Sequence, residues 1–206
     1  MIHPATELRF INPLVGYGVF ATSLIPAGSI TYVKDSLEVE VSPEAYQTHP
    51  PAMQAVIEKY SYIDERGYRI ISWDFAKYIN HCCNCNSMST GYGFEIAIRD
   101  IYPGEEITDE YGIFNLTEPM LLSCNRGACR QVLQPEDFDH YFPIWDEKLK
   151  AALAHFRQVP QPLLPFVDEL TLQALEAYFN DPALYRSVYA LRYQKQVNGV
   201  MVQSGS

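Results

Sequence analysis

The sequence predicts a mainly β chain with helical additions, an α+β fold, on three observations. Short apolar segments broken by Pro and Gly turns run to about residue 112. From Phe138 the apolar period lengthens to that of a helix. The composition over 206 residues, 48% hydrophobic and 19% charged, is that of a chain able to bury a core.

The elements follow in order. Residues 8–11, 19–22 and 30–33 read as strands, separated by Asn12-Pro13 and by Pro26-Ala27-Gly28, where Pro presets φ and Gly relieves the turn exit. Ser42 before Pro43 predicts an N-cap with Pro at the first helical position, and 51–59 a second helix, so a helical insert covers about 42–59. Residues 60–63 and 68–71 flank Asp64-Glu65-Arg66-Gly67 as a hairpin. The last strands are 94–99 and 106–108, joined through Tyr102-Pro103-Gly104, and the β portion ends near 112.

Beyond Phe138, the residues Ile144, Trp145, Leu149, Ala152, Leu153 and Phe156 fall on one helical face. Pro160, Pro162 and Pro165 separate that helix from one carrying Leu170, Leu175, Tyr178 and Phe179. Asn180-Asp181-Pro182 opens a third, with Leu184, Val188 and Leu191 inward. These stripes read as core packing ahead of a partner surface. Gln203-Ser204-Gly205-Ser206 is expected to fray.

The formal charge of -10 argues against nucleic-acid binding, which needs a basic face to neutralise phosphates. A basic polypeptide substrate suits it, or the acidity serves solubility alone. No apolar stretch approaches the roughly 18 residues of a membrane span and no leader pattern opens the chain, so a soluble intracellular protein, cytoplasmic or nuclear, is expected. Five cysteines stand at 82, 83, 85, 124 and 129 in two tight groups, a pattern for metal ligation or reduced thiols and not for a disulfide framework.

Three segments carry chemistry. Gly16-Tyr17-Gly18 lets backbone approach a ligand closely, though most such tripeptides are turns. Lys77-Tyr78-Ile79-Asn80-His81-Cys82-Cys83-Asn84-Cys85-Asn86 is dense in side chains that are costly to bury unpaired, so it contacts a ligand or stitches loops together. In Gly104-Glu105-Glu106-Ile107-Thr108-Asp109-Glu110-Tyr111-Gly112 a tyrosine follows acidic residues at a strand end.

In this order the three segments resemble the SET-domain protein-lysine methyltransferases. The family opens on Gly-x-Gly before a strand, matched by Gly16-Tyr17-Gly18-Val19-Phe20-Ala21. Its central signature, Arg-Phe-x-Asn-His-Ser-Cys-x-Pro-Asn, is matched by the Lys77 to Asn86 segment, and its closing Gly-Glu-Glu-Leu-Thr-x-Asp-Tyr-Gly by Gly104 to Gly112. The resemblance covers about 7–130.

It implies a β-clip-like core of small curved sheets with pseudoknot-like threading; the α-helical C-terminal extension, read from its period, lies outside the resemblance. The domains would be 1–116, SET-like and catalytic; 117–130, a post-SET-like cysteine segment; and 131–206, the extension, which would cover the cysteine tail, recognise substrate or pair two copies of the chain as a homodimer. It implies S-adenosylmethionine as cofactor, with Gly16, Tyr17 and Gly18 at its methionine part, Asn80 and His81 at its adenine end, and Tyr62 lining the site. It implies Tyr111 as the catalytic residue and lysine in a basic protein or peptide as the acceptor. Lysine's reference pKa of about 10.4 leaves on the order of one amine in a few thousand free at pH 7, so a desolvating aromatic channel serves to favour the neutral amine.

The sequence departs from the family in places. A family tail Cys-x-Cys-x4-Cys completes a zinc site with the central cysteine; here Leu122 takes the first position, leaving Cys83, Cys124 and Cys129. Structural zinc takes four ligands, so Cys82 or Cys85 stands in, or the site is vestigial. Asp109 stands where the family often has Phe or Tyr. It either points into the channel, where a carboxylate favours the lysine cation, or faces solvent. Two other classes remain: a degenerate SET domain that binds peptides without catalysis, and a cysteine-dependent hydrolase or redox protein built on His81 and the thiols at 82–85. Against the last, adjacent residues rarely form a Cys–His pair.

Overall fold

The computed structural model describes residues 1–122 and 129–194. Among them the strands are β1 (Thr6–Asn12), β2 (Gly16–Ala21), β3 (Ile30–Val33), β4 (Val39–Val41), β5 (Ser61–Ile63), β6 (Arg69–Ile71), β7 (Asn80–His81), β8 (Ser87–Ser89), β9 (Phe94–Ala97), β10 (Glu106–Asp109), β11 (Met120–Leu121) and β12 (Val132–Leu133). The helices are α1 (Pro43–Thr48), α2 (Pro51–Tyr60), α3 (Asp137–Leu153) and α4 (Glu169–Asn180).

Four small sheets result, ordered β1-β2-β10-β7, β3-β9-β8, β4-β6-β5 and β11-β12. The α+β class and the small-sheet architecture are as the sequence predicts. At the N-terminus of α1 the Ser42 side chain accepts the Ala45 amide hydrogen, the expected cap, and Pro51 opens α2. Gly67 turns the β5–β6 hairpin at φ +82°.

The chain threads through itself at the site. β10 lies between β2, its antiparallel partner, and β7, to which it runs parallel with Thr108 opposite Asn80 and Asp109 opposite His81. Asn86 pins the crossing: its side chain accepts from the Thr108 amide at 2.9 Å and donates to the Glu106 carbonyl at 2.8 Å. A polar residue only 1% exposed is thereby fully engaged.

Two apolar clusters fill the molecule. The smaller joins Val19, Ala21, Ile25, Ile101 and Ile107 with Ala76 and Ile79. The larger joins Ile30, Met88, Phe94 and Ile96 of the β3-β9-β8 sheet to Phe138, Trp145, Leu149 and Leu153 of α3, so the C-terminal helix packs into the same core as the sheet. Burial of this kind contributes about 25 cal/mol per Å² of apolar surface.

Several sequence expectations change. Strands β4, β7 and β8 went unread, and the β11–β12 ladder lies beyond residue 112, because two- or three-residue strands carry too little period to detect. On α3, Ile144 is 55% exposed while Phe138 takes a core position. Leu170 and Leu184 are also exposed. The third helix is two single 3-10 turns, Pro182–Leu184 and Val188–Leu191, each capped by its own side chain, Asp181 and Ser187. Those caps favour separate turns over one continuous helix. The predicted fraying of 203–206 lies outside the described residues.

Candidate active site

The Gly-x-Gly segment and Asn80 come together through backbone. Asn80 Nδ2 donates to the Tyr17 carbonyl at 3.0 Å and to Glu106 Oε1 at 2.8 Å. A Cβ at Gly18 would lie 2.6 Å from Ile11 Cδ1 and 2.7 Å from Glu106 Oε1, so those two side-chain ends would have to shift to admit one. Gly16 holds φ +84° with open space where its Cβ would stand. The Tyr17 ring is half exposed and meets Phe10 and Tyr78 edge-on.

Tyr111 opens a 3-10 turn directly after β10, and its hydroxyl donates to the Ile79 carbonyl. Its amide donates to His81 Nδ1 at 3.2 Å. Its ring lies 5.5 Å from the His81 ring and 5.3 Å from Phe114, which in turn lies 5.1 Å from Tyr62. Burial, then the carboxylates of Asp109, Glu95 and Glu106, push the Tyr111 phenol above its ordinary range, so it stays neutral. The His81 ring is buried and braces the Tyr111 backbone on one side while Nε2 stands 3.3 Å from Cys83 Sγ. Burial, then Arg130, lowers its pKa to about 4, so the ring is neutral near pH 7.

Two cavities lie side by side here, with a shared wall. One, about 410 Å³, reaches Tyr111, Asp109 and Ile79; the other, about 630 Å³, opens beside Lys34, Asp35 and Arg186. Tyr32, Tyr62, Ile63, Glu95, Phe114 and Asn115 border both. Gly16, Tyr17, Gly18, Asn80 and His81 border neither, so of the expected ligand-holding residues only Tyr62 and Tyr111 share a cavity.

Asp109 is 1% exposed, which excludes the solvent-facing alternative. Its Oδ1 accepts the Glu110 amide at 2.7 Å, while Oδ2 meets no donor. Glu95 lines the same cavity, and its carboxyl acts on that of Asp109. Burial first, and then Glu95, push Asp109 well above the usual carboxylate range; burial raises Glu95 too. Two carboxyls in one dry site cannot both ionise, so the pair holds a proton between them.

The adjacent Glu110, standing where the family has Asp, turns to the other side of the strand. Its Oε1 accepts from Arg130 at 2.5 Å and from the Gly112 amide, and Arg130 also reaches Asp137 at 3.0 Å. Burial still raises Glu110, outweighing the guanidinium beside it.

Cys83 Sγ and Cys129 Sγ lie 3.9 Å apart, near the edge of a tetrahedron with zinc–sulfur bonds of about 2.3 Å. Cys124, the third thiol the resemblance implies, lies outside the described residues. Cys85 is buried among the residues of the larger core. Among the described residues no group of three or more His, Cys, Asp or Glu is arranged to hold a metal.

Sequence reasoning missed Glu95 and Phe114. Glu95 had a signal: a lone carboxylate between Phe94 and Ile96 in an apolar strand whose four residues are all buried. Phe114 follows Tyr111 by one 3-10 turn and had none.

Residues 16–112 match the family model of the SET domain. SET domains are, as a class, generally methyltransferases. A solved structure of a candidate histone methyltransferase from Plasmodium falciparum is similar at 18% identity, covering 53% of this chain and 95% of its own, with a TM-score of 0.37. No curated protein matches the chain. Among the described residues no helix is long and apolar enough to cross a membrane.

Proposed function

We propose that this protein transfers methyl groups from S-adenosylmethionine to the ε-amine of lysine in a basic segment of another protein. The observation that carries the reading is that two cavities share a wall at Tyr62, Phe114 and Glu95, with Tyr111 lining one of them. A transfer between two ligands needs two such adjoining sites. The second cavity has Asp35, Asp64, Glu65, Glu95 and Asp168 against Lys34 and Arg186, which favours a basic substrate there.

The residues fit the cofactor in chemistry. Aromatic rings and buried carboxyls suit a sulfonium cation, and open space at Gly16 admits a ligand beside the backbone. Of the residues the resemblance implies as its holders, Tyr62 lines both cavities, while Gly16, Tyr17, Gly18, Asn80 and His81 would hold it outside them. When bound, S-adenosylmethionine supplies an electrophilic methyl on sulfur. Tyr111, held by the Ile79 carbonyl, fixes the line along which the amine approaches; its neutral oxygen accepts weak C–H hydrogen bonds, and positioning supplies the larger share of the rate. Tyr62 and Phe114 exclude water from that line.

Labelled S-adenosylmethionine offered with a panel of basic proteins tests this. The wild type should place label on lysine, and Tyr111→Phe should do so about 100-fold more slowly while still binding cofactor. Bound cofactor with no label on any lysine would make the chain a peptide-binding SET domain instead.

A further inference from the structure

We propose that Glu95 and Asp109 act as one unit that receives the lysine ammonium and removes its proton. The inference rests on the methyl-transfer reading above and deepens it at the same site. Asp109 alone would hold the acceptor as a cation, which blocks nucleophilic attack. The pair behaves otherwise.

Glu95 lies on β9 and Asp109 on β10, strands of different sheets, and the threading of the chain brings their carboxyls together. Both are buried and line the first cavity, and apart from the proton shared with Glu95 no donor reaches Asp109 Oδ2. Among the described residues neither carboxyl has a lysine, arginine or histidine at ion-pair distance. The pair thus lacks the cation that its buried charge calls for, and an incoming ammonium supplies it. Ser87 Oγ donates weakly to Glu95 at 3.5 Å. The titratable groups around the pair are Tyr62, Tyr111, Glu110, Cys85 and the Met1 amino group.

The step balances within the site. The pair enters it with one shared proton and one negative charge. One N–H bond of the ammonium breaks, its electron pair staying on nitrogen, and an O–H bond forms on the free carboxylate oxygen. Neutral amine and a doubly protonated pair result, with no charge left unpaired in the dry junction. The extra proton returns to solvent through the cavities. Burial raises the proton affinity of the carboxyls and lowers that of the amine, which draws the two toward a match.

Glu95→Gln and Asp109→Asn test this, because each amide fills the same space and offers a donor to the remaining carboxylate. The first readout needs no turnover: calorimetric titration of n-butylammonium, the lysine side chain in miniature. The wild type should bind it at least 10-fold more tightly than either variant. The second readout is kcat/KM for methyl transfer against pH. Both variants should lose on the order of 100-fold near pH 7.5 and recover most of it toward pH 10, where the amine deprotonates unaided. Equal n-butylammonium affinity with an unshifted pH profile would overturn the proposal while leaving methyl transfer standing. Pair-dependent amine binding by a wild type that methylates nothing would sink the methyl-transfer reading and keep the ammonium site.

Discussion

Asp109 and Glu110 are neighbours at the end of β10, both almost fully buried, yet their carboxyls meet opposite surroundings. Glu110 is clamped by Arg130 and the Gly112 amide, and Arg130 carries on to Asp137 at the start of α3. Asp109 faces another acid and is left with an oxygen that no donor but the shared proton satisfies. The side-chain alternation of a strand separates the two environments across a single peptide bond. A buried carboxylate matched by a cation ties elements together; one matched by a second carboxylate costs stability and gains chemistry.

The largest effect expected of breaking this contrast is on the clamp. Arg130→Met should lower stability by about 3–5 kcal/mol in urea unfolding, since it strands Glu110 without its cation. A loss below about 1 kcal/mol would show the clamp to be dispensable. Next, Leu149→Ala, at a fully buried position of α3, should cost about 2–5 kcal/mol and leave a single unfolding transition, because the helix shares its core with the β3-β9-β8 sheet. Two transitions would divide the chain into independent units.

The smallest effect has the opposite sign. Asp109→Asn should raise stability by about 1–3 kcal/mol at pH 8 by giving the orphaned oxygen's position a donor toward Glu95. The pH dependence follows from the raised carboxyls. Stability linked to a group whose folded pKa lies above its unfolded value of about 4 is fully present below that value and lost as pH rises through the folded one. Wild-type stability should therefore decline from mildly acidic pH upward, and the variant should flatten that decline in thermal unfolding at several pH values. An Asp109→Asn protein less stable than wild type at pH 8 would mean that the acid pair serves the fold. Gains in stability paired with losses in rate mark a residue kept for function.

Much of the architecture was legible because its signals are local. Ser42-Pro43 specified a helix start through one side chain and one fixed φ, and Gly67 marked a hairpin bend. Trp145, Leu149 and Leu153 declared a buried helical face by period alone. Where local signals ran short, the reading failed: β7 has two residues and β8 three, and the apparent third helix breaks at caps that compete with helix continuation. The site was legible in the same proportion. Tyr111 and Asn80 sit in ordered motifs, whereas Phe114 and Glu95 acquire meaning only from what stands opposite them.

The sequence by itself determined the β-rich first half, the helical remainder and the three motifs of a SET domain, because turn chemistry, hydrophobic period and motif spacing are written within a few residues of one another. Only the tertiary structure decided which way Asp109 points, that Glu95 meets it, that Arg130 holds Glu110, and that two cavities share a wall at Tyr62, Phe114 and Glu95. The physical reason is distance along the chain. Electrostatic partners are chosen by proximity in space, and the threading of β10 between β2 and β7 sets that proximity for residues whose own neighbourhoods in sequence carry no trace of one another.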